Sequence, residues 1–284
     1  MSKKILITGA SKGFGLLTTQ ALLQQGHQVA ASMRDPAGRN ADVAAQLKAA
    51  GASIVELDVT SEASVKDGVT AAVDALGGLD VLINNAGVGV SGIQDTFTTE
   101  DVQKVFDINV LGVHRMSRAV IPLFREQGEG LLLNLSSILG RITIPFYGPY
   151  NASKWAVEAM SENYRYELAH YGIEVALVEP GGFPTSFMEA LVTPSDSERI
   201  ASYGDYAKMP ETAGTAFGEA LAANPQQNPQ AVADAIVALI EAEKGQRPFR
   251  TTVDFMGMAD QVNPYNAQLE NVEDAIFTAF GMKG

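Results

Sequence analysis

Tyr150 and Lys154 stand four positions apart at the head of a stretch with helical period, so their side chains share one face of a helix. Of the 8 tyrosines in the chain, this is the only one with a lysine at that spacing. A free phenol holds its proton up to a pKa near ~10, and a neighbouring ammonium favours the ionised form and should lower that value. The pair therefore reads as a proton-exchanging group. It would be the general acid for a carbonyl oxygen receiving hydride and the base for the reverse reaction. Ser137 precedes it by thirteen residues, at the end of an apolar run, and offers a hydroxyl able to polarise the same oxygen. An exposed Tyr–Lys pair on a helix is commonplace, and the position after Ser137 is what distinguishes this one.

A second group lies near the N-terminus, in Thr8-Gly9-Ala10-Ser11-Lys12-Gly13-Phe14-Gly15. An apolar strand runs into it and a helix pattern leaves it, the context of a phosphate-binding turn. Its glycines would allow the sharp turn, the close approach of backbone to a pyrophosphate, and tight helix–strand packing. Free N–H groups and the positive end of the helix would then hold the phosphate charge. At the end of the second strand the sequence reads Ala31-Ser32-Met33-Arg34-Asp35. Asp35 is a candidate for the ribose hydroxyls of NAD(H), but Arg34 and Lys12 set two cations near one ribose. That favours the 2′-phosphate of NADP(H).

The elements that must position these groups alternate regularly. Strand-like runs at Lys4–Thr8, Gln28–Ser32, Ser53–Leu57, Leu79–Ile83, Leu131–Leu135 and Ile173–Val178 are separated by helical patterns, among them Glu100–Gln127 and Pro149–Tyr171. The strands are continuously apolar, as strands covered on both faces are. The expected fold is a single doubly wound α/β domain, spanning 1–284, around a central parallel sheet. Between 185 and 228 the pattern breaks around Pro194, Pro210 and Pro225, and a helical substrate lid with unreadable boundaries is expected there. Pro229–Lys244 reads as helix, Thr251–Phe255 as a last strand, and Asn271–Phe280 as a helix within a C-terminal extension, 256–284.

Composition removes other chemistries. With 284 residues, 46% of them hydrophobic, the chain buries a full core, and with no cysteine it has no disulfide, thiolate metal site or cysteine nucleophile. The three histidines lie in separate segments, so no metal is expected. A hydrolase elbow is missing around Asn134-Leu135-Ser136-Ser137-Ile138. The net charge of -13 disfavours nucleic acid and anionic membranes. Only Ile5-Leu6-Ile7 follows the basic opening residues, too short for a signal segment, and a cytoplasmic protein is expected.

Taken together, the Thr8–Gly15 turn, Asn84-Asn85-Ala86-Gly87 after the fourth strand, Ser137, Tyr150 with Lys154, and Pro180-Gly181 after the sixth strand resemble the short-chain dehydrogenase/reductases of the classical type. The likeness runs from about Lys3 to Thr185. It implies a Rossmann fold and an NADP(H)-dependent oxidoreductase. It further implies that Asn109 joins Ser137, Tyr150 and Lys154 by holding a water that relays protons. By the same resemblance Gly9, Ser11, Lys12, Gly13, Phe14, Gly15 and Arg34 would bind the cofactor's phosphates. Asp58 and Val59 would meet the adenine, Asn85, Ala86 and Gly87 the adenosine ribose, and Pro180, Gly181 and Thr185 the nicotinamide side, with Tyr150 and Lys154 at the reactive end. Pairing through the two long helices into a homodimer or homotetramer is implied as well.

Val88, Ile138, Leu139, Phe146, Tyr147, Phe183, Phe187, Met188 and Leu191 are the expected pocket residues, and they point to a small hydrophobic ketone or alcohol. Two other readings stay open: a non-catalytic NADP(H) sensor on the same fold, and an epimerase or dehydratase. Against the first stands the full set of four site residues, and against the second the spacing of Gly9, Gly13 and Gly15.

Overall fold

The first strand, β1 (Lys4–Ile7), alternates its contacts: Ile5 and Ile7 pack into one core and Leu6 into another on the opposite face of the sheet. The structure, a computed structural model, describes residues 2–281. After β1 come α1 (Gly13–Gln24), β2 (Gln28–Met33), α2 (Ala41–Ala49), β3 (Ser53–Glu56), α3 (Glu62–Leu76) and β4 (Val81–Asn84). The second half continues with α4 (Thr99–Phe106), α5 (Gly112–Gln127), β5 (Gly130–Leu135), α6 (Gly148–Ala169) and β6 (Ile173–Pro180). Then follow α7 (Ser197–Ser202), α8 (Met209–Ala223), α9 (Gln230–Glu241), β7 (Arg250–Val253) and α10 (Ala259–Ala279).

The strands form one sheet in the order β3-β2-β1-β4-β5-β6-β7, with every pairing parallel. The core against α1, α2 and α9 includes Ile5, Ile7, Leu22, Leu47 and Ile236, and the core against α3, α5 and α6 includes Leu6, Val69, Leu82, Met116 and Phe124. This is the single doubly wound α/β domain expected. The strand order reverses between β1 and β4. Their C-terminal ends therefore part to leave a crevice, the place where open α/β sheets bind ligands.

Two elements differ from the sequence expectation, and the segment after β6 agrees with it. The helix expected over Glu100–Gln127 runs through a five-residue π turn, Asp107–Leu111, between α4 and α5. Segment 185–228 is largely helical, as expected. Pro210 lies in the first turn of α8, where no backbone N–H is needed, so it starts that helix rather than breaking it. The C-terminal helix begins twelve residues before the expected Asn271, at Ala259, despite Pro264 within it. Asp254 explains its start: its carboxylate accepts from the N–H groups of Met256 at 3.1 Å and Met258 at 2.9 Å, just ahead of α10. The last three residues of the expected 256–284 extension lie outside the described residues.

Candidate active site

The glycine turn is fastened to β4 by side chains. Thr8 Oγ1 accepts from the N–H groups of Asn85 and Ala86, both at 3.0 Å, and Asn85 Nδ2 donates to the carbonyls of Thr8 at 2.8 Å and Gly9 at 3.1 Å. Gly9 and Gly13 have φ of +70° and +55°, and a Cβ on Gly15 would come within 2.3 Å of the Gly9 carbonyl oxygen. So Gly9 and Gly13 supply the left-handed turns, and Gly15 the close packing of α1 on the turn. The N-cap residue Lys12 makes no side-chain bond to the first turn of α1. That turn, open at the C-terminal edge of the sheet, fits a phosphate. Across from it lies Thr185, whose Cβ is 3.9 Å from where a Cβ on Gly13 would stand. The turn and the segment after β6 thus form two sides of one crevice, with Phe14 braced edge-on against Phe183 at 5.7 Å.

At the β2 end the two candidates separate. Asp35 adopts φ 47° and folds back over its own turn, where its carboxylate accepts from the N–H of Arg39 at 2.9 Å. Arg34 stays exposed. Asp58 reports on the surrounding charge. Burial pushes its pKa up, but the N–H and hydroxyl of Thr60, at 3.0 and 2.8 Å, together with the charges of Arg34 and Arg39, hold it below the usual carboxylate range. Arg39 is a second cation on this rim that the sequence analysis missed. The available signal was its position in the same turn as Arg34, beyond Pro36 and Gly38.

The other candidate groups converge where β4, β5 and β6 end. Tyr150, Lys154, Ser137 and Asn109 are 8%, 7%, 6% and 1% exposed. Ser137 Oγ accepts from the N–H of Leu139 at 3.1 Å and donates to the Pro180 carbonyl at 3.3 Å, and it lies beside the Tyr150 hydroxyl, near enough to act on its proton affinity. Lys154 Nζ donates to the Leu135 carbonyl at 2.7 Å and lies 5.6 Å from the centre of the Tyr150 ring. Asn109 sits in the π turn. It clasps the strand exit by bonding both the N–H and the carbonyl of Val88 at 2.9 Å, and it donates to Ser153 Oγ at 3.0 Å. Gly87 passes between: a Cβ there would stand 3.3 Å from Asn109 Oδ1 and 3.9 Å from Lys154 Nζ.

The electrostatics depart from the sequence expectation. Burial pushes the Tyr150 phenol up to about 12, with Ser137 restraining the rise and Tyr147 adding to it. Burial likewise pushes Lys154 down to about 8, opposed by Glu158. The ammonium was expected to acidify the phenol. Here it is bonded to a carbonyl beyond the ring rather than to the phenol oxygen, and desolvation wins. Tyr150 is thus a protonated donor at neutral pH, and Lys154 a cation ready to lose its charge slightly above it.

The wall around Tyr150 is apolar. Val90, Phe97 and Val105 pack with it, and Val88, Val102, Leu139, Phe187 and Val192 lie against them; the Phe187 ring is 5.7 Å from that of Tyr150. Of the pocket residues expected from the sequence, Val88, Leu139 and Phe187 belong to this wall. Phe183 does not: it is in the core against α1.

The chain matches the short chain dehydrogenase family over residues 3–196. It is 41% identical over 185 residues to a 3-ketodihydrosphingosine reductase of Bacteroides thetaiotaomicron, a match covering 65% of each protein. Among solved structures, it resembles a short-chain dehydrogenase from Streptomyces avermitilis with a TM-score of 0.76 at 28% identity, over 99% of this chain and 97% of that one. A short chain dehydrogenase/reductase from Burkholderia phymatum, in complex with NAD, gives 0.75 at 26% identity over 96% and 95%. With the crevice, the glycine turn and the Ser137–Tyr150–Lys154 arrangement, these findings show that the chain belongs to the short-chain dehydrogenase family.

Proposed function

We propose that the protein is an NADP(H)-dependent oxidoreductase that reduces a hydrophobic ketone or aldehyde to an alcohol, reversibly. The observation that carries this reading is the buried Tyr150 side chain, with Ser137 beside its hydroxyl and Lys154 Nζ 5.6 Å from its ring centre, in the crevice that the glycine turn opens. When bound, the nicotinamide supplies the hydride. Ser137 holds the carbonyl oxygen, and Tyr150 donates its proton as negative charge develops there. The Lys154 cation then favours the phenolate left behind. The Asn109 side chain, fixed to Val88 and Ser153 beside Gly87, keeps the strand exit in place and stands where a proton relay would reach Lys154.

Preference for NADP(H) rests on Arg34 and Arg39 together with the diversion of Asp35 into its own turn. The substrate class rests on the apolar wall, and the relative at 41% identity is named for reducing a ketone, 3-ketodihydrosphingosine. Segment 185–228 would act as the lid, and pairing through α5 and α6 would give a homodimer or homotetramer in the cytoplasm. Among the described residues no helix is long and apolar enough to cross a membrane.

Cofactor oxidation measured across aliphatic, aromatic and steroid ketones tests the reading. Turnover is expected with NADPH, strongest for apolar ketones. Arg34→Ala and Arg39→Ala are each expected to raise the KM for NADPH about tenfold, with little change for NADH. NADPH binding with no turnover of any carbonyl would overturn the reading, and equal losses for the two cofactors would overturn the NADP(H) preference.

A further inference from the structure

Tyr150 and Lys154 are not the end of their row. Glu158 follows at the same spacing, so a phenol, an ammonium and a carboxylate lie one turn apart along α6, and Glu158 is only 1% exposed. The proton-transfer chemistry above makes no use of it. Around it lies a buried charged cluster built from every neighbouring element. Arg250 of β7 reaches Glu158 Oε2 through Nε at 3.0 Å, and Arg141, after β5, approaches the same oxygen at 3.8 Å. Glu179 of β6 lies 3.5 Å from Arg250 and 4.0 Å from Arg141, and its other oxygen accepts from Thr252 and Asn266, each at 2.8 Å. Glu162 of α6 pairs with Arg250, and Glu270 of α10 is 3.9 Å away from the same guanidinium.

With Arg165, which shares Glu270 at 3.9 Å, three guanidiniums thus face four carboxylates, and Glu158 Oε1 makes no hydrogen bond. The arginines fix the Glu158 carboxylate without cancelling the negative charge of the cluster. Lys154 and Glu158 are both buried on one face of α6, a single turn apart, and a Cβ built on Gly140 would stand 3.0 Å from Glu158 Cγ, so the carboxylate stem is packed against backbone with no room for water between. A buried negative charge at this range favours the cationic form of a buried amine.

We propose that Glu158 is a positioning residue that keeps Lys154 in its ammonium form, with Arg141 and Arg250 holding the carboxylate in place. The proposal deepens the reading of Tyr150 and Lys154 as a proton-transfer pair, and its catalytic meaning rests on that reading. Burial drives Lys154 down, and Glu158 is the opposing influence. Glu158 itself is raised to about 7 by burial and by Glu179, against Ser136 and Arg250, so it is mostly charged at the Lys154 midpoint of about 8 and above it.

The test is direct titration of Lys154 by carbon NMR of protein labelled at lysine Cε, with the Lys154 resonance assigned from Lys154→Arg. Glu158→Gln is expected to lower the Lys154 midpoint by about half to one pH unit. Glu158→Asp, which keeps the charge but withdraws it by one methylene, is expected to give a smaller drop, and it carries the test alone if the glutamine variant does not fold. The alkaline limb of ketone reduction is expected to move with the midpoint. An unchanged midpoint, even alongside a loss of thermal stability, would overturn the proposal and leave Glu158 a purely structural residue; so would a shifted midpoint with an unmoved alkaline limb. If the wild-type protein turns over no ketone, the functional reading fails, while the lysine titration still decides what Glu158 does.

Discussion

Lys154 is a charge kept at a cost. Its folded pKa of about 8 lies below the lysine value of 10.5, because burial disfavours the ammonium. Between those values the unfolded chain binds more protons than the folded one, so stability rises with pH there, and at pH 7 the full penalty is in force. Lys154→Met removes the penalty along with the bond to the Leu135 carbonyl. The variant is expected to lose at least a hundredfold in ketone reduction while gaining about 1–2 kcal/mol in stability at pH 7 by denaturant unfolding. A variant that is both inactive and less stable would contradict the desolvation argument. At this scale the site was legible wherever the signal was local: Tyr150 with Lys154, Ser137, and the glycines of the turn. Arg39 and Glu158 were not. Each carried a local signal, Arg39 in the turn of Arg34 and Glu158 four residues after Lys154, but the partners that give them meaning, Asp58 for one and Arg250 and Arg141 for the other, come from elements remote in sequence.

Asp101, at the start of α4, is the joint between the Rossmann sheet and segment 185–228. It completes a capping box with Thr98, and the same oxygen accepts from the N–H of Ser195 at 2.9 Å and from its hydroxyl at 2.7 Å. Burial pushes its pKa up, but the Ser195 and Thr98 bonds outweigh this and bring it to about 2. A depressed carboxylate stabilises the fold above its ordinary pKa, and that contribution is lost as pH falls from about 4 through 2. Asp101→Asn is expected to speed amide exchange in Ser195–Ser202 severalfold at pH 7, with the difference from wild type shrinking below pH 4; equal protection at pH 7 would show that the joint is not what orders the segment. Alternation of strand and helix was readable because the central strands β1, β4 and β5 are largely apolar runs and the segments between them keep a helical period. Segment 185–228 and α10 were obscured by prolines, which mark breaks only away from a helix's first turn. Pro210 is in such a turn, and α10 is started by Asp254 and held by buried Val262 and Asn266, which override Pro264.

Across the whole molecule, the reversal of strand order between β1 and β4 brings groups from seven segments to one edge: the glycine turn, the β2 rim, Asn85 to Gly87, Asn109, Ser137, the head of α6 and the stretch after β6. None is a site alone. The C-terminal helix closes the other flank, with Phe277 edge-on to Tyr166 of α6 at 4.4 Å, and Glu270 3.9 Å from Arg165. Under the proposed function, cofactor binding and proton transfer are separable, since Tyr150 is fixed by α6 while the glycine turn is fixed by Thr8 and Asn85. Tyr150→Phe tests that separation most directly, with NADPH-induced thermal stabilisation and NADPH-dependent ketone reduction measured on the same samples. The account predicts a melting temperature raised by about 5 °C at a hundredfold excess over Kd in both proteins, with kcat in the variant lower by about a hundredfold or more. A variant reducing ketones within tenfold of the wild-type rate would contradict the account.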